Sequence, residues 1–223
     1  MASGRIHEAR RLAAENDEIV ARLTPHHRVH GVACVMEVEE LAGNWERIRE
    51  LERRIEQTVA ENRATPCVRN ARSLLVCSAA AEILGDPNRS RELEASADEL
   101  RARGLGMAFG GPGLRLALAR QDFATLEELL AGKDWYSRQT WFLLPGAAAR
   151  LDALAVVGGE AAIEAEGLPG RDGYLVPFRL RALGLARNDD PLIAQADEHF
   201  RAMHLDWHAA QTKAFIRLRA AFG

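Results

Sequence analysis

The chain has 223 residues, 29 Lys and Arg against 32 Asp and Glu for a net charge of −3, and 48% of its residues are apolar or aromatic. So large an apolar fraction with so little net charge excludes a disordered chain, and the balanced charge lacks the basic footprint of a nucleic-acid or membrane-surface binder. Ala (39) and Leu (28) far outnumber Val plus Ile (19), which favours helix and sets an all-β fold aside.

The first segment, Arg5 to Leu23, reads as a charged, Glu-rich helix. It has the character of the second helix of a hairpin with no first helix before it, so the chain is expected to be a piece of a longer one with domains upstream. Pro25 opens the next helix, where His26, His30 and Cys34 stand at i, i+4 and i+8 on one face. These are metal-ligand types. At about 1.5 Å of rise per residue, however, the first and third stand about 12 Å apart, so one ion takes at most two of them. The stripe is therefore read as helix packing, and no metal or other cofactor is expected.

From Trp45, the residues Ile48, Ile55 and Val59 mark the buried face of a helix whose other side is Glu and Arg. Pro66 to Ser73 opens an unusually polar helix on which Arg69, Asn70, Ser73 and Cys77 share a face, with Arg72 beside them. Leu93, Ala97 and Leu100 mark the next helix. Gly106, Gly110, Gly111 and Gly113 lack the Gly-Lys-Ser/Thr ending and the preceding strand of a phosphate loop, and read as an inter-repeat linker. Phe123, Leu126, Leu129 and Leu130 follow on one face. Residues 134–173 fit the pattern poorly: Pro145 interrupts a helix, 158–173 is loop-like, and Trp135, Tyr136, Trp141 and Tyr174 gather there. The last helices carry Leu192, Ile193, Ala196, Phe200 and Met203, and then Trp207, Ala214, Leu218 and Phe222.

The breaks between helices repeat. Leu41-Ala-Gly-Asn-Trp45, Leu84-Gly-Asp-Pro87, Leu118-Ala-Arg-Gln-Asp-Phe123 and Leu185-Ala-Arg-Asn-Asp189 each pair a residue suited to ending one helix with an Asn or Asp suited to capping the next. Gly158-Gly159 falls near the midpoint of the last, double interval. Hairpins at this spacing predict an all-α fold: an α-α superhelix, or solenoid, of about five or six hairpins in one domain spanning 1–223.

The segments "LAGNWERIRELERRI", "LGDPNRSRELEASADEL" and "LARQDFATLEELL" resemble tetratricopeptide repeats. The last, "ADEHFRAMHLDWHAAQTKAFIRL", resembles the closing repeat of large bacterial signalling proteins, namely class III nucleotide cyclases and LuxR-type regulators with ATPase regions. The resemblance implies that the first helix of each hairpin lines a concave groove, where Asn and Arg clamp a carboxylate or an acidic peptide. On that reading Arg69, Asn70, Arg72 and Ser73 form the clamp, Arg115 and Arg138 extend it, and Trp141 adds an aromatic wall.

No G-x-S-x-G, H-E-x-x-H or paired Asp cluster is present, so no enzyme is expected. No apolar run approaches a membrane span, the start lacks a signal-peptide core, and three unpaired cysteines suit a reducing cytoplasm. The expected role is a non-catalytic interaction or regulatory scaffold of a bacterial signalling protein that docks a protein or peptide. The alternative is a domain that senses a small molecule near Trp135 to Trp141.

Overall fold

Local turn chemistry sets the element boundaries. A computed structural model describes residues 5–100, 107–131, 143–165 and 173–222, and among these there is no strand. The helices are α1 (Ile6–Val20), α2 (Pro25–Ala42), α3 (Trp45–Glu61), α4 (Val68–Ile83), α5 (Pro87–Asp98), α6 (Met107–Arg120), α7 (Phe123–Ala131), α8 (Leu143–Val157), α9 (Glu160–Ala165), α10 (Val176–Arg187), α11 (Asp190–Ala202) and α12 (Asp206–Phe222).

Four hairpins share one turn. A left-handed residue ends the first helix: Gly43 (φ 71°), Gly85 (φ 85°), Gln121 (φ 56°) or Asn188 (φ 52°). The next residue, Asn44, Asp86, Asp122 or Asp189, accepts the backbone N–H three positions on and so caps the second helix. Its own N–H donates back to the carbonyl five residues earlier, at 2.8–2.9 Å, which satisfies a helix-end carbonyl. The fifth hairpin, α8/α9, turns at Gly158-Gly159 as the spacing predicts.

The described residues thus form the hairpins α2/α3, α4/α5, α6/α7, α8/α9 and α10/α11, with α1 before them and α12 after. The first helices of these hairpins pack in a row, α2 on α4, α4 on α6, α6 on α8 and α8 on α10. Ion pairs bridge consecutive repeats at a nearly constant step: Arg54 to Asp17, Arg49 to Asp86 and Arg89 to Glu52 each span 37 residues, and Arg120 to Glu82 spans 38.

The row also bends back on itself. α2 packs against α8, and Ile6, Ala9 and Leu41 share an apolar core with Leu151, Phe178 and Phe200. α12 lies against the C-terminal parts of these inner helices, with Trp207 beside Trp45 at 5.3 Å between ring centroids and its ring against Gly43. No helix among the described residues is long and apolar enough to cross a membrane.

Three local expectations are corrected. Gly110, Gly111 and Gly113 lie inside α6 rather than in a linker. A Cβ at Gly111 would stand 2.8 Å from Cα of Gly146, so this glycine lets α6 and α8 touch. Pro145 does not interrupt a helix but sits in the first turn of α8, where the missing N–H costs nothing. In α12 the buried residues are His208, Thr212 and Phe215, whereas Trp207 and Leu218 are only half-buried, because this helix faces a polar interior. On the outside, α1 leaves Leu12 and Ile19 exposed, at 50% and 68%, and Leu23, in the turn that follows it, is exposed at 45%.

Candidate functional site

The inner helices carry charged residues at positions that face other helices, and the structure shows what each one meets. Arg72 on α4 is 1% exposed and donates to Glu40 on α2 at 2.6 Å, with Glu37 at 3.5 Å. Arg69, 8% exposed, stands 3.6 Å from Glu37. Asn70 is buried and ties the α3–α4 connection together, accepting from Asn62 at 3.0 Å and donating to the Thr65 carbonyl at 3.3 Å. Ser73 is buried as well. The expected clamp of Arg69, Asn70, Arg72 and Ser73 is therefore not presented to solvent. Its cations meet carboxylates of the preceding repeat, because a buried guanidinium requires a charged partner.

A second network centres on Asp152 of α8, which accepts from Arg115 of α6 and, at 2.5 Å, from Arg181 of α10. Arg181 also donates to the His208 carbonyl and lies between aromatic faces, 4.6 Å from the Phe200 centroid and 4.8 Å from that of Phe215. The Leu41 carbonyl, in the last turn of α2, accepts both Tyr174 Oη at 2.7 Å and His208 Nε2 at 3.1 Å. Two residues more than 130 positions away thus complete the end of α2.

These environments set protonation. Burial pushes the Glu37 carboxyl up to about 8, and Arg72 and Arg69 oppose it only in part. Burial acts on Asp152 too, but Arg181 and Arg115 outweigh it and hold the carboxyl below its ordinary range. Burial together with Arg115 pulls His208 down to about 3, so its ring is neutral and Nε2–H donates to Leu41. Burial pushes the Tyr174 phenol and the Cys77 thiol up.

Solvent reaches the inner face in a cleft of about 540 Å³ between α12 and the C-terminal ends of α4 and α6. Leu118, Trp207, Phe215 and Leu218 supply apolar wall, Arg115 and Arg217 supply cationic groups, and Glu82, paired with Arg120, adds a carboxylate at the edge. Arg115 is the member of the expected basic strip that reaches this opening, its guanidinium 5.7 Å from the Trp207 centroid. Arg138 and Trp141 lie outside the described residues, as do Trp135 and Tyr136.

The metal-ligand stripe is also rearranged. His26 and His30 lie side by side on α2, with ring centroids 4.4 Å apart and ring planes tilted by 54°. Cys34 does not join them; it faces Arg69 and the apolar core. Cys67, the residue before α4, takes that place, with Sγ 3.3 Å from His30 Nε2. Burial and the nearby Arg69 pull His30 down to about 4. Reading along one helix misses Cys67, yet its 37-residue distance from His30 is the step that links consecutive repeats.

Asp152 and Arg181 were not among the sequence candidates, whereas Tyr174 was named with the aromatic group of 134–173. The signal for both was present: a lone Asp in the apolar run Leu151 to Val157, and a lone Arg on the apolar face of α10. Searches against family models, curated proteins and solved structures give no match.

Proposed function

We propose that this chain is a non-catalytic interaction module of tetratricopeptide-like repeats from a bacterial signalling protein, and that it docks an acidic or carboxylate-bearing peptide segment. The observation that supports this reading is the cleft beside α12, where apolar wall and two arginines lie together. Apolar anchors would supply affinity there, and the exposed Arg217 guanidinium would select a carboxylate by charge and by forked geometry, while the buried Arg115, already held by Asp152, would add positive charge behind it. The buried Arg69 and Arg72 are left to hold the repeats together. The exposed Leu12 and Ile19 of α1 mark the face on which an adjoining helix of the same signalling protein would pack.

The test is fluorescence anisotropy with short labelled peptides that end in a free carboxylate. Arg217→Glu, a change at an exposed position, is expected to weaken binding by about tenfold or more, equivalent to about 1.4 kcal/mol, with Tm unchanged. Equal binding by that variant, or by peptides amidated at the C-terminus and free of acidic side chains, would count against the reading. The cleft is also of small-molecule size, which favours a sensor as the second reading. Thermal stabilisation by small carboxylates, without peptide binding, would select it.

A further inference from the structure

His26, His30 and Cys67 offer three ligand atoms that all lie within 4.8 Å of one another. They come from two elements: the histidines from the first turns of α2, and the cysteine from the residue that leads into α4. The closest approach, His30 Nε2 to Cys67 Sγ, is 3.3 Å. A tetrahedral ion with N and S ligands at about 2.0–2.3 Å holds its ligand atoms about 3.3–3.6 Å apart, so small side-chain rotations close the set around one ion.

Two further observations single out this trio. His26 Nδ1 is buried and has no hydrogen-bond partner among the described residues, although a buried ring nitrogen ordinarily finds one. The neighbouring His27 is already occupied, its Nδ1 2.8 Å from Thr24 Oγ1, and Cys34 is turned to Arg69. The cluster is therefore set apart from the histidine and cysteine around it by position and by pairing. All three residues are half-buried, which leaves a path for an ion and a fourth coordination position for solvent.

We propose that His26, His30 and Cys67 form a binding site for a zinc-type divalent cation that clips α2 to the start of α4. Two imidazoles and one thiolate suit a borderline-soft ion and disfavour Mg²⁺ or Ca²⁺, which take oxygen ligands. Binding exchanges the Cys67 thiol proton for the metal, so each ion bound releases one proton to solvent and no electron is transferred. The site lies apart from the cleft beside α12 and is independent of the docking reading.

The experiment is titration of the metal-free chain of residues 1–223 with Co²⁺, followed by displacement with Zn²⁺. One equivalent of Co²⁺ is expected to give a thiolate-to-cobalt charge-transfer band and tetrahedral d–d bands, to be displaced by Zn²⁺ and to raise Tm. Cys67→Ser should remove the charge-transfer band, His26→Gln should weaken binding by about tenfold or more, and Cys34→Ser should change neither. Far-UV circular dichroism checks that each variant folds, and because the ligands come from separate elements, loss of one variant leaves the other informative. No binding at micromolar Co²⁺ or Zn²⁺, a charge-transfer band that survives Cys67→Ser, or one that disappears with Cys34→Ser would overturn the proposal.

Discussion

Glu37 and Asp152 are both buried carboxylates on inner helices, and each is flanked by two arginines, yet they end in opposite protonation states. Asp152 accepts direct hydrogen bonds from Arg115 and Arg181 and is held ionised. Glu37 stands 3.5 and 3.6 Å from Arg72 and Arg69 and shares Arg72 with a second acid, Glu40, so burial wins and its carboxyl is pushed up to about 8. Counting charges does not separate the two sites. Hydrogen-bond geometry and competition for one guanidinium do.

The largest effect is expected where a carboxylate has no understudy. Asp152→Ala leaves Arg115 and Arg181 buried without a counter-ion and is expected to cost about 3–5 kcal/mol, read from urea unfolding. Glu40→Gln is expected to cost less than half as much, because Glu37 is placed to ionise against Arg72 in its stead. Carboxyl-selective NMR should then show the Glu37 titration moving down.

The two sites also predict opposite slopes of stability with pH. Glu37 has a folded value near 8 against an ordinary 4.5, so the folded chain holds the extra proton between these values. That contribution is complete below about 4.5 and is lost as pH rises to 8. His208, near 3 in the fold against an ordinary 6.5, and Asp152, held below 3.8, behave the other way, and their contributions fade as pH falls. His30 adds to the same acid slope. Unfolding free energy measured from pH 4 to 9 should therefore lose its alkaline decline in Glu37→Gln and part of its acid decline in His208→Gln. The smallest effect of Glu37→Gln, below about 1 kcal/mol, is expected near pH 4, where folded and unfolded chains both hold the neutral acid; at pH 7 the variant is expected to be the more stable, because it folds without taking up a proton.

What was legible in the chain follows from range. The turns at Gly43-Asn44, Gly85-Asp86 and Asn188-Asp189 depend on adjacent residues, so both their positions and their caps could be read directly. Ile48, Ile55 and Leu93 were legible as core because helical period alone puts them on one face. Other features have causes that are distant in sequence. Gly111 looks like punctuation until Gly146 is placed against it. Arg69 and Arg72 look like groove lining until Glu37 and Glu40, about 32 residues earlier, close on them. Cys67 becomes a neighbour of His30 only through the repeat step. The contact of α12 with the start of the array has no local signature, since Tyr174 and His208 reach Leu41 across separations of 133 and 167 residues.

That contact carries the central claim, that among the described residues the helical row bends back on itself and α12 lies against its inner face beside the cleft. With only four tryptophans in the chain, indole-labelled protein allows a direct test by NMR. The account predicts nuclear Overhauser cross-peaks between the rings of Trp45 and Trp207, whose centroids lie 5.3 Å apart. Well-resolved spectra with no such cross-peak, and with Trp207 exposed to a solvent relaxation agent, would contradict it.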